Sequence, residues 1–361
     1  MSGLEGVVAA ETVLSDVDGL AGRLVIRGYE LGELAGRTSF EDAVRLLLGG
    51  MFEDLPSAAE LKARLGRARA EAFAEVHALE DLQLHDPVER LRALMARLPD
   101  GDDLQAGLRL IAAPAVFTAA IARADAGEAP VAPDPALGHA ADALRMLKGR
   151  TATSAEASAL DAYLVTIIDH GLNASTFAAR VTASTLAGLT SAAISGLSAL
   201  KGPLHGGAPG PVIAMLDDIG APDRAEAWLE AALDRGDRLM GFGHRIYKVR
   251  DPRADALKQA VQALAKGSPE LPGRLELAEA VEAAAIRVLE RRKPGRSLNT
   301  NVEFYTAILL EALGFPASAF TCVFAMGRTA GWIAHAREQV LSGRLIRPQS
   351  RYIGPQPKAA A

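Results

Sequence analysis

The apolar residues follow two different periods along the chain. Up to about Arg37, glycines alternate with β-branched and apolar residues, which predicts one or two short hairpins. From Ser39 onward the spacing becomes helical: one helix ends at Gly49-Gly50, and Ser57-Ala-Ala-Glu60 is a capping box that opens another. The pattern therefore predicts a protein that is nearly all helical, with strands only at its start.

Proline and glycine divide the remaining helical pattern. Asp103 to Arg123 predicts an apolar helix, residues 127–138 carry three prolines and predict a connection, and residues 140–200 form an alanine-rich region with helical spacing. Asp251-Pro252 is typical of a helix start, with aspartate as N-cap and proline at the first helical position. This pattern excludes a dinucleotide-binding array, because such an array needs strands that alternate with helices.

Composition and charge narrow the class of protein. The 361 residues carry a net charge of −5, so no basic balance favours nucleic acid. Cys322 is the single cysteine, which excludes an internal disulfide and a cysteine metal cluster and fits a reducing compartment such as the cytoplasm. The N-terminus lacks the basic and apolar regions of a secretory signal, and the longest apolar run, 111–122, is too short to span a bilayer. The absence of a Gly-Lys dipeptide excludes a Walker A loop.

A first candidate for chemistry is the run Asp-His170-Gly-Leu-Asn173-Ala-Ser-Thr-Phe177-Ala-Ala-Arg180. If it is helical, the four numbered side chains share one face. A histidine beside an amide can hold a carboxylate or a ketone. A satisfied polar contact inside a helical core would show the same pattern.

Two histidines lie among glycines, His205 within 202–210 and His244 within 240–248. Glycine lets the backbone approach a ligand closely, and two histidines at one site could each polarise a carbonyl. Each histidine alone is more often structural. The presence of Arg253 shortly after the second one favours a catalytic site.

Glu303 lies among apolar and aromatic neighbours in Asn-Val-Glu-Phe-Tyr. Burial would raise the pKa of its carboxyl, and a carboxylate so placed can abstract a proton, although a surface glutamate could look the same. Lys248 and the cluster Arg291 to Arg296 add positive charge that could meet phosphates. A solvated helix end would also explain that cluster.

Seven motifs, spread in order over essentially the whole chain, resemble those of citrate synthase. They are Asp-His170-x-x-Asn-Ala-Ser-Thr-Phe, Gly-Pro-Leu-His205-Gly-Gly-Ala, Gly-Phe-Gly-His244-Arg-x-Tyr-Lys, Asp-Pro-Arg253, Asn-Val-Glu303-Phe-Tyr, Arg328-Thr-Ala-Gly-Trp and Arg347-Pro-x-Ser-x-Tyr-x-Gly. The early Gly-Leu-Glu-Gly-Val-Val-Ala and Arg27-Gly-Tyr resemble the N-terminus of that family.

The resemblance implies an all-α, two-domain helical fold. A large, dimer-forming domain would consist of residues 1–205 and 316–361, a small domain of residues 206–315, and the active site would lie in the cleft between them. The length resembles the shorter dimeric type, including the branch often called citrate synthase 2, rather than the longer hexameric type that NADH inhibits.

The resemblance also implies a reaction: condensation of acetyl-CoA with oxaloacetate and water to give citrate and CoA. Glu303 would be the base, His205 would donate a hydrogen bond to the thioester oxygen, and His244 would polarise the ketone of oxaloacetate. Two alternatives remain open at this point. One is a 2-methylcitrate synthase that uses propionyl-CoA, and the other is a non-catalytic paralogue that binds CoA or a dicarboxylate.

Binding roles follow from the same resemblance. Oxaloacetate would be held by His170, Arg253, Arg328 and Arg347, the last reaching the neighbouring subunit's site in a homodimer. CoA would contact Leu239, Met240, Gly241, Phe242, Gly243 and Lys248. No metal or further cofactor is expected, since the CoA thioester is itself a substrate.

Two positions depart from the family's pattern. Glu303 replaces the more usual aspartate, which shifts the carboxylate by roughly an ångström, and a misplacement of that size can cost about 10²-fold in rate. Ala208-Pro209 stands where asparagine commonly follows the alanine, which bears on acyl-CoA preference. The other histidines (His77, His85, His139 and His335) are predicted to be structural or on the surface, and Cys322 to be a small core residue.

Overall fold

Helices account for nearly all regular structure in the computed structural model, which describes residues 3–4, 6–83, 85–206, 210–244 and 246–355. In that part of the chain the helices are α1 (Leu31–Leu34), α2 (Phe40–Leu47), α3 (Ala58–Phe73), α4 (Pro87–Met95), α5 (Leu104–Asp125), α6 (His139–Lys148), α7 (Ser154–Ile167), α8 (Ala174–Ala183), α9 (Leu189–Leu200), α10 (Gly210–Ile219), α11 (Ala225–Asp234), α12 (Pro252–Ala265), α13 (Leu271–Arg292), α14 (Val302–Ala312) and α15 (Phe320–Ser342). The predicted all-α class is confirmed.

A small antiparallel sheet precedes the helices, as the alternating pattern predicts. Its strands are β1 (Ser15–Asp18), β2 (Arg23–Ile26) and β3 (Tyr29–Glu30), hydrogen-bonded in the order β1-β2-β3. Arg27 and Gly28 connect β2 to β3, and both have positive φ, 52° and 87°. Positive φ at both central residues is the geometry of a tight two-residue hairpin turn.

Side-chain caps begin several helices where the sequence predicts them. The Asp103 carboxylate accepts the N–H of Ala106 (2.7 Å) at the start of α5, and Ser39 accepts that of Asp42 at the start of α2. Each cap satisfies a backbone donor that has no partner within its helix. The alanine-rich region 140–200 is divided into four helices, α6 to α9, because turns at glycine-containing segments interrupt it.

Helix α5 lies at the centre of the core. It is long and apolar enough to cross a membrane by length and composition, yet 89% of its most apolar stretch is buried inside the protein. Packing against α3, α6, α9 and α15 therefore accounts for its apolar sequence.

Helix α15 approaches its neighbours at positions that only glycine allows. A Cβ on Gly331 would lie 2.4 Å from the carbonyl oxygen of Ile168, and one on Gly327 would lie 2.7 Å from a side-chain carbon of Ile167. The close approach lets Arg328 donate from Nε to the Ile167 carbonyl at 2.6 Å. The helix thus delivers an arginine to the turn that follows α7, where the candidate site begins.

We expect Gly331→Ala to lower the free energy of unfolding by about 1–3 kcal/mol, because the new methyl meets a backbone carbonyl that cannot easily move. Urea denaturation measures the loss. Gly273→Ala is the matched control, since nothing lies within 4 Å of its added Cβ, and it should change stability by less than about 1 kcal/mol. Equal effects of the two substitutions would contradict the close packing of α15.

Candidate active site

Most of the residues predicted to react or to bind substrate line one large cavity. It has a volume of about 1250 Å³, and its lining includes six of them: His170, His205, His244, Arg253, Glu303 and Arg328. The three histidines lie outside helices: His170 in the turn before α8, His205 after α9 and His244 in the loop before α12. The charged residues lie on helices: Arg253 in the first turn of α12, Glu303 in the first turn of α14 and Arg328 within α15. Residues that are far apart in the sequence therefore meet around one space.

The turn that carries His170 is held from several sides. The Asp169 carboxylate accepts the Ser15 hydroxyl of β1 and lies 3.2 Å from Nε2 of His335 on α15. The Ser15 hydroxyl also accepts the N–H of Gly171 at 2.9 Å. Although Asp169 is fully buried, its pKa is lowered because His335, Ser15 and Arg328 outweigh the effect of burial.

The predicted helical face through His170, Asn173, Phe177 and Arg180 is wrong. Helix α8 begins only at Ala174, because Gly171 has a left-handed φ of 59° and Asn173 is an extended N-cap that accepts the N–H groups of Ser175 and Thr176. Phe177 does line the cavity with His170 and Asn173. Arg180 instead pairs with Glu338 (2.5 Å) and with Nδ1 of His335 (2.8 Å) in a buried network.

His205 is hydrogen-bonded to Ser175, and Trp332 is hydrogen-bonded to the same serine. Nε2 of His205 lies 2.8 Å from the Ser175 hydroxyl, which also accepts from Nε1 of Trp332 at 3.1 Å. The hydroxyl has one proton to donate, either to Oδ1 of Asn173 (2.8 Å) or to His205. When Ser175 donates to Nε2, the single proton of a neutral His205 ring lies on Nδ1.

The backbone sets the tautomer of His244. The N–H groups of Ile246 and Tyr247 both approach its Nδ1 at 3.1 Å, so the proton of the neutral ring lies on Nε2. That Nε2 is 3.3 Å from a terminal nitrogen of Arg253, which can only donate. Two donors therefore converge at this point, and an anionic or carbonyl oxygen would satisfy both.

Arg253 is buried and doubly paired. Its Nε and one terminal nitrogen contact the two oxygens of Asp251 at 3.0 and 2.8 Å. Asp251 also caps α12 through the N–H of Arg253 and accepts the N–H of Val302 at 3.3 Å, which joins the starts of α12 and α14. The predicted N-cap is confirmed, and the ion pair is an additional role of the same carboxylate.

Arg328 carries a positive charge that the protein only partly satisfies. The side chain is 1% exposed, and one terminal nitrogen has no hydrogen-bond partner among the described residues. Burial lowers its pKa to about 10 against the opposing charge of Asp169, so the group remains cationic at neutral pH. A buried cationic donor without a partner is suited to bind a carboxylate.

Glu303 occupies the second position of α14. The Asn301 side chain caps that helix by accepting the Glu303 N–H at 3.0 Å, and it donates to the Gly243 carbonyl at 2.8 Å. Burial raises the pKa of Glu303 to about 6, while Arg253 and Arg238 oppose the rise. Glu303 is therefore a carboxylate at neutral pH, and its proton affinity is high enough for a general base.

All three histidines of the cavity are uncharged at neutral pH. Burial lowers the pKa of His205 and of His244 to about 4, and nearby guanidinium groups add to both shifts. Burial, Arg253 and Arg328 hold the pKa of His170 well below its usual range. The rings can act as hydrogen-bond donors and acceptors without adding charge.

Basic residues line the cavity elsewhere. Arg238, Lys293 and Arg296 contribute to its lining, whereas Arg291 pairs with Glu226 and Glu230. The predicted basic cluster is thus divided between the cavity and surface ion pairs.

The other predicted binding residues are placed as follows. Leu239, Phe242 and Gly243 line the cavity, while Met240, Gly241 and Lys248 lie outside its lining in this structure. Arg347 is exposed in the irregular segment after α15 and does not line this chain's cavity. Ala208-Pro209 lies outside the described residues.

The remaining sequence predictions concern residues without a catalytic role. His77 and His85 are exposed, and His139, His335 and Cys322 are buried. Sequence reasoning missed the contacts of Ser175 and Tyr247, although both stand inside quoted motifs. In the described residues no three histidine, cysteine or acidic side chains are grouped to hold a metal, and the expected absence of a metal from the reaction stays a prediction.

Comparison with known proteins assigns these motifs to one family. The family model "Citrate synthase, C-terminal domain" matches residues 3–349. A citrate synthase of Haloferax volcanii is 39% identical over 98% of this chain and 95% of its own length, and a putative citrate synthase 2 of Mycobacterium tuberculosis is 37% identical over 99% and 94%.

Solved structures agree with the curated relatives. The citrate synthase of Pyrobaculum aerophilum superposes with a TM-score of 0.85 at 34% identity, covering 99% of this chain and 93% of that chain. A ternary complex of carboxymethyl coenzyme A and oxaloacetate with the Thermoplasma acidophilum citrate synthase has the same TM-score, 0.85, at 30% identity, covering 99% and 97%.

We expect Asp251→Ala to lower the free energy of unfolding by about 3–5 kcal/mol, because it leaves the buried Arg253 without its counter-ion. Asp255→Ala is the control: this aspartate pairs with Arg250 at the surface and should contribute less than about 1 kcal/mol. Chemical denaturation of both variants makes the comparison. A small effect at both positions would mean that Asp251 is not what neutralises Arg253.

Proposed function

The chain belongs to the citrate synthase family, and we propose that its cavity condenses acetyl-CoA with oxaloacetate and water to give citrate and CoA, with Glu303, His205 and His244 as the reacting groups. One observation carries this proposal: a carboxylate with a raised pKa and two neutral histidines line the same cavity as two buried arginines. The chain is accordingly an enzyme, an acyltransferase.

The donors on one side of the cavity suit oxaloacetate. This substrate carries two carboxylates and a ketone, all hydrogen-bond acceptors. Arg328 offers a terminal nitrogen that no described residue hydrogen-bonds, and Arg253 and the Nε2 proton of His244 converge on one point. We propose that Arg253, Arg328 and His170 bind the carboxylates and that His244 donates to the ketone oxygen.

Proton transfer begins at the thioester methyl. The Glu303 carboxylate removes a proton, the electrons of the broken C–H bond move towards the thioester oxygen, and His205 donates a hydrogen bond to that oxygen. The resulting enolate carbon attacks the ketone carbon, and Nε2 of His244 donates a hydrogen bond to the alkoxide that forms. The alkoxide takes up the proton that Glu303 removed from the methyl group. Water then hydrolyses citryl-CoA. We propose that the Ser175 hydroxyl donates to Nε2 of His205 rather than to Asn173, which leaves the donor proton of His205 on Nδ1.

The basic residues of the lining supply a place for the phosphates of CoA. We assign this role to Arg238, Lys293 and Arg296, together with the backbone from Leu239 to Gly243. Closure of residues 206–315 against residues 1–205 and 316–361 would bring Met240, Gly241 and Lys248 towards the ligand and exclude water.

The exposed position of Arg347 suggests a role outside this chain's own cavity. It lies on an irregular segment beyond α15 and is exposed to solvent. We propose a homodimer in which Arg347 completes the oxaloacetate site of the neighbouring subunit, and a cytoplasmic enzyme whose single cysteine stays reduced.

Thiol release from acetyl-CoA tests the proposed activity. Free thiol should form only when oxaloacetate is present, and kcat/KM should be greater for acetyl-CoA than for propionyl-CoA. A clear propionyl preference would identify a 2-methylcitrate synthase instead. Binding of both ligands without thiol release would indicate a non-catalytic paralogue.

We expect Glu303→Gln to lower kcat by at least about 10²-fold, since the amide cannot accept the methyl proton. The dissociation constant for oxaloacetate, measured by calorimetry, should not change. Glu311→Gln is the matched control on the same helix, because Glu311 pairs with Arg274 away from the cavity. Near-normal turnover by Glu303→Gln would mean that another base operates.

The rate should depend on pH through Glu303. Only its carboxylate form accepts a proton, so kcat/KM for acetyl-CoA should fall about tenfold per pH unit below a pKa of about 6. His205 and His244 titrate near 4 and so stay neutral over most of that range. A profile that stays level down to about pH 5 would contradict the raised pKa of the base.

A further inference from the structure

Tyr247 is a buried side chain on an irregular loop, and the reaction as described does not use it. The residue is 1% exposed and lies between α11 and α12. The β1–β2 turn packs onto this loop: Lys248 donates its N–H to the Gly19 carbonyl at 2.8 Å, and a Cβ on Gly19 would lie 2.4 Å from the carbonyl oxygen of Ile246. The loop is therefore held in place from outside the cavity.

The ring of Tyr247 contacts three of the residues assigned to oxaloacetate. Its centroid is 4.9 Å from that of His244 and 5.6 Å from that of His170, and the Arg253 guanidinium lies 5.8 Å from it. His170 belongs to the turn before α8, whereas the other two come from the loop and first turn around α12. One side chain thus spaces ligand-binding groups from both sides of the cavity.

The hydroxyl of Tyr247 has one polar partner among the described residues, Nε2 of His170 at 3.0 Å. A buried phenol that accepted a proton from this nitrogen would leave its own O–H without an acceptor, which is costly. The arrangement is satisfied when the phenol donates. In that case Nε2 is unprotonated, and the proton of the neutral imidazole lies on the other nitrogen, Nδ1.

We propose that Tyr247 is a positioning residue for the oxaloacetate side of the site: its hydroxyl donates to His170 Nε2 and so makes His170 Nδ1 a hydrogen-bond donor towards the substrate. The inference rests on the proposed function, because a donor is needed only if the ligand presents acceptors, as oxaloacetate does. The backbone N–H of Tyr247 acts in parallel on His244, where it helps keep the proton on Nε2.

Tyr247→Phe tests the hydroxyl alone, since phenylalanine keeps the ring between the two histidines. We expect KM for oxaloacetate to rise by about three- to tenfold, the usual effect of one lost hydrogen bond, with kcat and the KM for acetyl-CoA changed less than about twofold. Tyr305→Phe is the control: its hydroxyl bonds Glu282 at 2.6 Å outside the cavity lining, so its KM for oxaloacetate should match the wild type.

Nitrogen-15 spectra of histidine-labelled protein provide a readout that a merely structural tyrosine would not change. Wild-type His170, assigned by its loss in His170→Gln, should show the Nδ1–H tautomer, and Tyr247→Phe should shift it towards a mixture. A wild-type spectrum with Nε2–H, or an unchanged KM for oxaloacetate in Tyr247→Phe, would overturn the inference. Neither outcome affects the proposed reaction, which is tested separately by thiol release from the wild type with the two acyl-CoA substrates.

Discussion

Two buried guanidinium groups in one cavity are the constraint on which the site depends. Arg253 is neutralised by a bidentate contact with Asp251, but one terminal nitrogen of Arg328 has no hydrogen-bond partner in the described part of the chain. Burying a charge is costly unless it is paired. Binding of an anion beside Arg328 removes part of that cost and is therefore favourable. A substrate with two carboxylates supplies the missing charge, which explains why an apolar helical core tolerates both arginines.

The same positive charges set the protonation of the surrounding groups. Both reinforce the effect of burial on His170 and His205, which therefore stay neutral, and Arg253 opposes the effect of burial on Glu303. A neutral histidine is closer in proton affinity to an enol than an imidazolium is, and so suits the role of donor. The cavity thus holds a carboxylate with a raised pKa and neutral histidines beside two buried arginines.

The fold supports this arrangement through contacts that lie away from the substrate. Gly327 and Gly331 let α15 press against the end of α7, and the Asp169–His335–Arg180–Glu338 network holds the turn that bears His170. Asp251 performs the equivalent task on the other side by joining the starts of α12 and α14. Each network is buried and paired, so it can fix geometry without competing for the ligand.

Features that depend only on residues close in the sequence were predictable, and particular residues show where such prediction ends. The caps at Ser39 and Asp251 and the hairpin before α1 depend on neighbours within a few positions, so the sequence alone predicts them. Glu303, His205 and His244 could be proposed from their motifs for a similar reason. The helical face from His170 to Arg180 could not, because Gly171 and Asn173 end the regular spacing before α8 starts.

The sequence by itself determined the class of the fold and the family, and it predicted which side chains react, since these features reside in periodicity and short motifs. Only the tertiary structure decided that Arg180 faces a buried glutamate rather than the cavity, that one terminal nitrogen of Arg328 has no partner among the described residues, and that the Tyr247 hydroxyl meets His170. The physical reason is that pairing, burial and pKa depend on atoms brought together from distant segments. Residue spacing along one segment contains no record of those neighbours.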